Sequence, residues 1–165
     1  MKKSIITFVF LLLVMPVLSF AQTSAAKESL RGLRGVFVSV LPIAKDAETN
    51  GLSANQLQKI VESELRKAGV PILIEAKSGG EYAKLVIVID TIKHPQGIYL
   101  FTVSVSVVQE MQISRLPGKG IFPAETYGKR ALGLTTPNRM DVINEPLKEK
   151  IGEFVSDYLS VNPKR

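Results

Sequence analysis

The strongest pattern in the chain is alternation. Within residues 98–114, Tyr99, Phe101, Val103, Val105 and Val107 share one face, and Thr102, Ser104 and Ser106 share the other. This period of two predicts a long antiparallel strand with one buried and one wet face. Residues 33–43 also read as a strand: Val36, Val38 and Val40 alternate with Phe37, Ser39 and Leu41, and Pro42 ends the run. Residues 83–93, AKLVIVIDTIK, are apolar on both faces, as in a central strand. Residues 71–76 read as a short strand. Residues 125–134 read as a weaker one, interrupted by Gly128 and Gly133.

The period changes to that of a helix after Ser53. Leu57, Ile60, Val61, Leu65 and Ala68 form an apolar stripe. Ser53 and Gln56 have capping-box spacing, Gly69 suits a left-handed C′ residue, and Pro71 stops the helix. A second helix is predicted after Thr136-Pro137-Asn138. It carries Met140, Ile143, Leu147, Ile151, Phe154, Val155, Tyr158 and Leu159, with Pro146 expected to kink or split it. The order β-α-β-β-β-β-α predicts an α+β, two-layer domain: a mainly antiparallel five-stranded sheet with two helices on one face.

The N-terminus has a different character. Lys2 and Lys3 precede an apolar run from Ile5 to Val14, Pro16 breaks it, and Ser19-Phe20-Ala21 sets small residues before Gln22. Residues 1–21 therefore read as a cleaved signal peptide, giving a periplasmic or secreted bacterial protein. Residues 22–32 read as a flexible leader, and 33–165 as a single domain. Removing residues 1–21 takes Lys2 and Lys3 with them, so the formal net charge falls from +6 to +4. Lys and Arg are spread rather than striped, which argues against a nucleic-acid binder. The chain has no cysteine, so thiol nucleophiles, thiolate metal sites and disulfides are excluded.

The stretch GLSANQLQKIVESELRKAGVPIL (51–73), together with FVSDYLSVNP (154–163), resembles a family of small exported bacterial proteins of unknown function. The layout is similar to that of the amino-terminal domain of the Tol-Pal periplasmic protein TolB. The resemblance implies a domain that serves protein contacts; the TolB-type propeller is absent from this chain.

Candidate chemistry is sparse. Asp46, Glu48, Asn50 and Gly51 match the start of an EF-hand calcium loop, but Leu57 stands where the bidentate Glu belongs. The stretch reads instead as a turn leading into a capped helix. His94 is the sole histidine, so zinc sites and a Ser-His-Asp mechanism lack ligands and context, and no G-x-S-x-G elbow is present. The acidic residues are scattered, and the Gly-rich SGGEY and PGKG lack the setting of a phosphate loop. No cofactor, metal or catalytic residue is expected.

The remaining signals concern binding. Residues 115–124, RLPGKGIFPA, form an irregular loop longer than a hairpin needs. Ile121 and Phe122 either tuck back onto the core or present a contact patch, and Arg115 and Lys119 would steer an acidic partner. Strand 98–114 would accept a partner strand if it lay at a sheet edge. The leading expectation is a non-enzymatic exported domain that binds or scaffolds another envelope protein. The alternative is a small-ligand-binding or inhibitor-like periplasmic protein with a pocket between sheet and helices.

Overall fold

The computed structural model describes residues 25–75, 81–113, 115 and 120–163. The expected signal peptide, residues 1–21, and its expected cut before Gln22 lie outside the described residues. The elements run β1 (Gly35–Val40), α1 (Lys45–Thr49), α2 (Ala54–Ala68), β2 (Tyr82–Lys93), β3 (Tyr99–Gln112), β4 (Ile121–Thr135), a 3-10 segment (Pro137–Ile143) and α3 (Asn144–Val161). The class is α+β. Among the described residues no helix is long and apolar enough to cross a membrane.

Among the described residues the sheet has four strands in the order β1-β2-β3-β4, not the expected five. The strand expected over 71–76 does not form in its described part, residues 71–75. Val36 donates its N–H to the Pro71 carbonyl at 3.0 Å and accepts from Leu73 N–H at 2.9 Å. Only the bridge Val36↔Ile72 results. Ile74 then turns fully into solvent. The sheet is also mixed. β1 pairs parallel with β2, because the α2 crossover returns the chain in the same direction. The β2–β3 and β3–β4 pairs are antiparallel. Strand β3 is therefore interior from Tyr99 to Val108, where β2 and β4 flank it on both sides and leave no edge for a partner strand.

Register explains where the core sits. The rows Val38–Leu85–Val107–Tyr127 and Ile87–Val105–Lys129 turn one way, and Val36, Ile89, Val103 and Phe101 turn with them. Those apolar side chains are buried in one cluster with Leu57, Val61 and Leu65 of α2 and Leu147, Ile151, Phe154 and Tyr158 of α3. Both long helices thus cover a single face, as expected. The opposite face, with Ile92, Leu100, Leu132 and Leu134, is uncovered, and these four side chains are exposed.

The helix boundaries follow local chemistry. Ser53 has the extended backbone of an N-cap (φ −131°), but its hydroxyl makes no cap hydrogen bond, so the capping box is realised only in its backbone. Gly69 closes α2 at φ +75°, in the left-handed region expected of it. The last helical stretch is split, but not by Pro146 as expected: the break precedes it. Arg139 leaves helical geometry at φ −133°, inside the 3-10 segment. Pro146 sits in the first turn of α3, where its missing N–H costs no helical bond. Residues 44–52 are not simply a loop, since they contain α1.

The stretch assigned to a flexible leader is held in place from residue 25 onward. Residues 25–28 are helical, and Leu30 is completely buried. Asn162 accepts from Gly32 N–H at 2.7 Å through Oδ1 and donates to the Leu30 carbonyl at 2.8 Å through Nδ2. The Tyr158 hydroxyl donates to the Leu33 carbonyl at 2.8 Å in a buried setting.

Candidate functional site

The β3–β4 hairpin reaches beyond the rest of the sheet. The β2–β3 register ends at Lys84↔Val108, whereas β3–β4 continues through Gln109↔Ala124, Glu110↔Pro123, Met111↔Phe122 and Gln112↔Ile121. Strand β4 thus begins inside the segment read as a loop, which shortens the true connection. A bulge between Val107 and Val108 marks the base of the projection and adds twist there. The base is also tied by hydrogen bonds. Gln109 Nε2 donates to the Ser29 carbonyl at 2.9 Å and to Thr126 Oγ1 at 2.7 Å. Ser29 Oγ donates to the Thr126 carbonyl at 3.1 Å.

The tip is apolar and exposed. Ile121 is 67% exposed, Phe122 43% and Met111 47%. These values decide between the two readings of Ile121 and Phe122: neither closes the core. The Phe122 ring lies against Gly120, where a Cβ would come within 2.5 Å of it; the glycine also has φ +81°, so it serves both the turn and the ring. Arg115 is exposed in the connecting turn. Lys119 lies outside the described residues. The structure therefore pairs Phe122 with Met111 across the hairpin on one face, while Ile121, opposite Gln112, points to the other face of the same tip. Met111 has the same phase as the buried Tyr99-to-Val107 series, so alternation alone assigns it to the core. It is exposed because the hairpin has passed the end of the helical layer.

The other candidates are occupied locally. Asp46 Oδ1 accepts from Ala47 N–H at 3.0 Å, and Asn50 Nδ2 donates to the Asp46 carbonyl at 2.7 Å and to Tyr99 Oη at 3.0 Å. The would-be calcium loop thus spends its polar groups on α1 and on a buried tyrosine. His94 is exposed in its turn, where Nδ1 accepts from Gln96 N–H at 3.3 Å. Among the described residues no group of three or more His, Asp or Glu is placed to hold a metal ion.

Two cavities stand out: an open one of about 610 Å³ between the end of α2 and residues 70–74, lined by Glu62, Arg66 and Leu73 among others, and a smaller one between the start of α2 and the 3-10 segment. The smaller one holds about 230 Å³ and is walled mainly by polar residues, Asn50, Gln56, Asn138 and Asp141 among them, with Leu52 and Met140 also on its lining. Drug-sized ligands usually occupy roughly 300–1,000 Å³ of mostly apolar space, so its size and polarity favour water over such a ligand.

The main electrostatic cluster joins β4 to α3. Lys129 Nζ lies 3.3 Å from Glu153 and 3.5 Å from Asp157. Lys150 bridges Glu149 at 2.8 Å and Glu153 at 2.5 Å. Tyr127 Oη donates to Asp157 at 2.9 Å. The hydrogen bond from Lys150 holds the Glu153 carboxyl below its usual range, and Lys129 adds to the effect. Burial, and then Asp157, push the Tyr127 hydroxyl far up. All these charges are paired to each other, which is the arrangement of a structural clamp. Comparison with protein-family models finds no match, and comparison with curated proteins finds no similar sequence.

Proposed function

We propose that this is a non-enzymatic exported domain that binds another envelope protein through the tip of the β3–β4 hairpin. The observation carrying this reading is the exposed cross-strand pair of Met111 and Phe122, with exposed Ile121 on the other face of the same tip, on two paired strands that project past the sheet. Apolar side chains gathered on a projecting element suit the centre of a protein contact better than scattered surface residues do. Pro123 and the hydrogen bonds at the hairpin base limit its freedom, so ordering it on binding costs little. Arg115, exposed in the turn, and Lys119 in the sequence beside it supply positive charge that would steer an acidic partner. The resemblance to envelope modules built for protein contacts points the same way.

The test is in-cell crosslinking followed by mass spectrometry, on the native chain and on Ile121→Ser with Phe122→Ser. The double variant should remain within about 1 kcal/mol of the native stability, because both side chains are exposed. It should also lose the crosslinked partner. A partner retained at full yield by the double variant would remove the hairpin tip from the contact.

A further inference from the structure

Strand β4 is an edge, and its two halves are built differently. Among the described residues, 121–134 form no backbone-to-backbone hydrogen bond beyond the ladder with β3. The first half carries the devices that keep edges from pairing. Pro123 has no N–H to offer, the bulge interrupts the run, and the Thr126 carbonyl already accepts from Ser29 Oγ. Arg130 reaches back to Glu125 at 3.6 Å. The second half, Ala131-Leu132-Gly133-Leu134-Thr135, has no charge, no proline and no bulge. Leu132 and Leu134 are 68% and 66% exposed on the open face.

We infer that residues 131–135 pair with the same segment of a second copy, antiparallel across a two-fold axis at Gly133. An edge-to-edge dimer that continues the sheet uses one patch on both partners, and the sequence selects its register. With the axis at Gly133, Leu132 faces Leu134 of the second copy, and Ala131 faces Thr135. Placing the axis at Lys129 or Arg130 sets like charges opposite each other, which is destabilising. Placing it at Ala131 or Leu132 sets Arg130 against a leucine. Only the Gly133 axis gives both leucines leucine partners.

The open face supports the same occupant. Ile92, Leu100 and Leu134 stand in one cross-strand row, and pairing at Gly133 adds Leu132 of the second copy to its end. A neutral segment on one copy thus meets a neutral segment on the other, and an aliphatic row becomes continuous. The paired stretch is short, about 17 Å at roughly 3.4 Å per residue. So short a pairing makes the dimer weak and reversible.

The experiment uses the chain purified as the producing cell processes it. Sedimentation equilibrium across a concentration series should show the mean mass rising from one copy towards two. Leu132→Lys should keep the protein monomeric over the same range with an unchanged melting temperature, since the side chain is exposed. A second measurement fixes the register. The chain has no cysteine, so Leu132→Cys and Leu134→Cys each introduce a single thiol. Directly opposed positions lie ~5 Å apart and diagonal ones ~7–8 Å, while a disulfide needs Cβ atoms about 4 Å apart. A mixture of the two variants should therefore oxidise to dimer roughly tenfold faster than either alone, because only the mixed pair is opposed. A native chain that stays monomeric overturns the inference. So does association that Leu132→Lys leaves intact, or equal oxidation in all three samples. Native protein that remains monomeric but binds phosphatidylethanolamine–phosphatidylglycerol vesicles, with loss in Leu132→Lys, would assign the leucines to a lipid surface instead.

Discussion

Ser53 shows how a residue can fill a position without doing its usual work. Its backbone is that of an N-cap and its carbonyl accepts from Leu57 N–H at 3.0 Å, but the hydroxyl makes no cap bond. Losing a bonded N-cap side chain costs about 1 kcal/mol. Ser53→Ala should therefore shift stability by less than about 0.5 kcal/mol in urea unfolding; a loss of 1 kcal/mol or more would mean that the hydroxyl caps the helix in solution. Positions such as Ser53 and Gly69 were legible because backbone preference is local. The use of their side chains was not, since it depends on neighbours far along the chain. Asn50 is similar: its position before Gly51 suggests a turn, while its hydrogen bond to Tyr99 can be seen only once the fold is closed.

At the scale of elements, strong periodicity was reliable and short apolar runs were not. The helical stripe of α2 and the alternation of β3 both appear with the expected faces. The run 71–76 has the composition of a strand, but Pro71 lacks a donor and its neighbourhood allows one bridge only. The candidate site was half legible: loop composition drew attention to Ile121 and Phe122, but Met111 needed the pairing across the hairpin. The β4–α3 clamp was invisible, because Lys129, Glu153 and Asp157 meet through register rather than sequence spacing. It has a measurable signature. The folded-state pKa of Glu153 is lowered, so its contribution to stability is full above the unfolded carboxylate value and is lost as pH falls through the folded one. The melting temperature should fall on acidification below the model-compound value of 4.5. Glu153→Gln should flatten that part of the profile while lowering stability at neutral pH. An identical acid slope in the variant would remove Glu153 from the clamp.

At the scale of the whole molecule, the two ends of the described chain are built into each other. Leu30 is fully buried, and its neighbours Gly32 and Leu33 bond to Asn162 and Tyr158. Leu30→Ala should cost about 2–5 kcal/mol, the range for a truncated core leucine, in a single cooperative unfolding transition. A loss below about 0.5 kcal/mol, as for a surface position, would return this stretch to a loose leader. Its polar, small-residue composition hid that role, since one leucine among Ser, Lys, Glu and Arg carries no period.

This closure also constrains when the protein can be finished. The bonds Tyr158–Leu33, Gly32–Asn162 and Asn162–Leu30 span 125, 130 and 132 residues. During synthesis the N-terminal part emerges first, and the hairpins β2–β3 and β3–β4 can zip from local contacts as they appear. Strand β1 must wait for its crossover, and the segment before it must wait longer still, until the last turn of α3 has left the ribosome. Such long-range closures come late because the loop they seal must already be ordered. The newborn chain therefore holds Leu30 in the open until Tyr158 and Asn162 have emerged, and that interval is when a chaperone would find it.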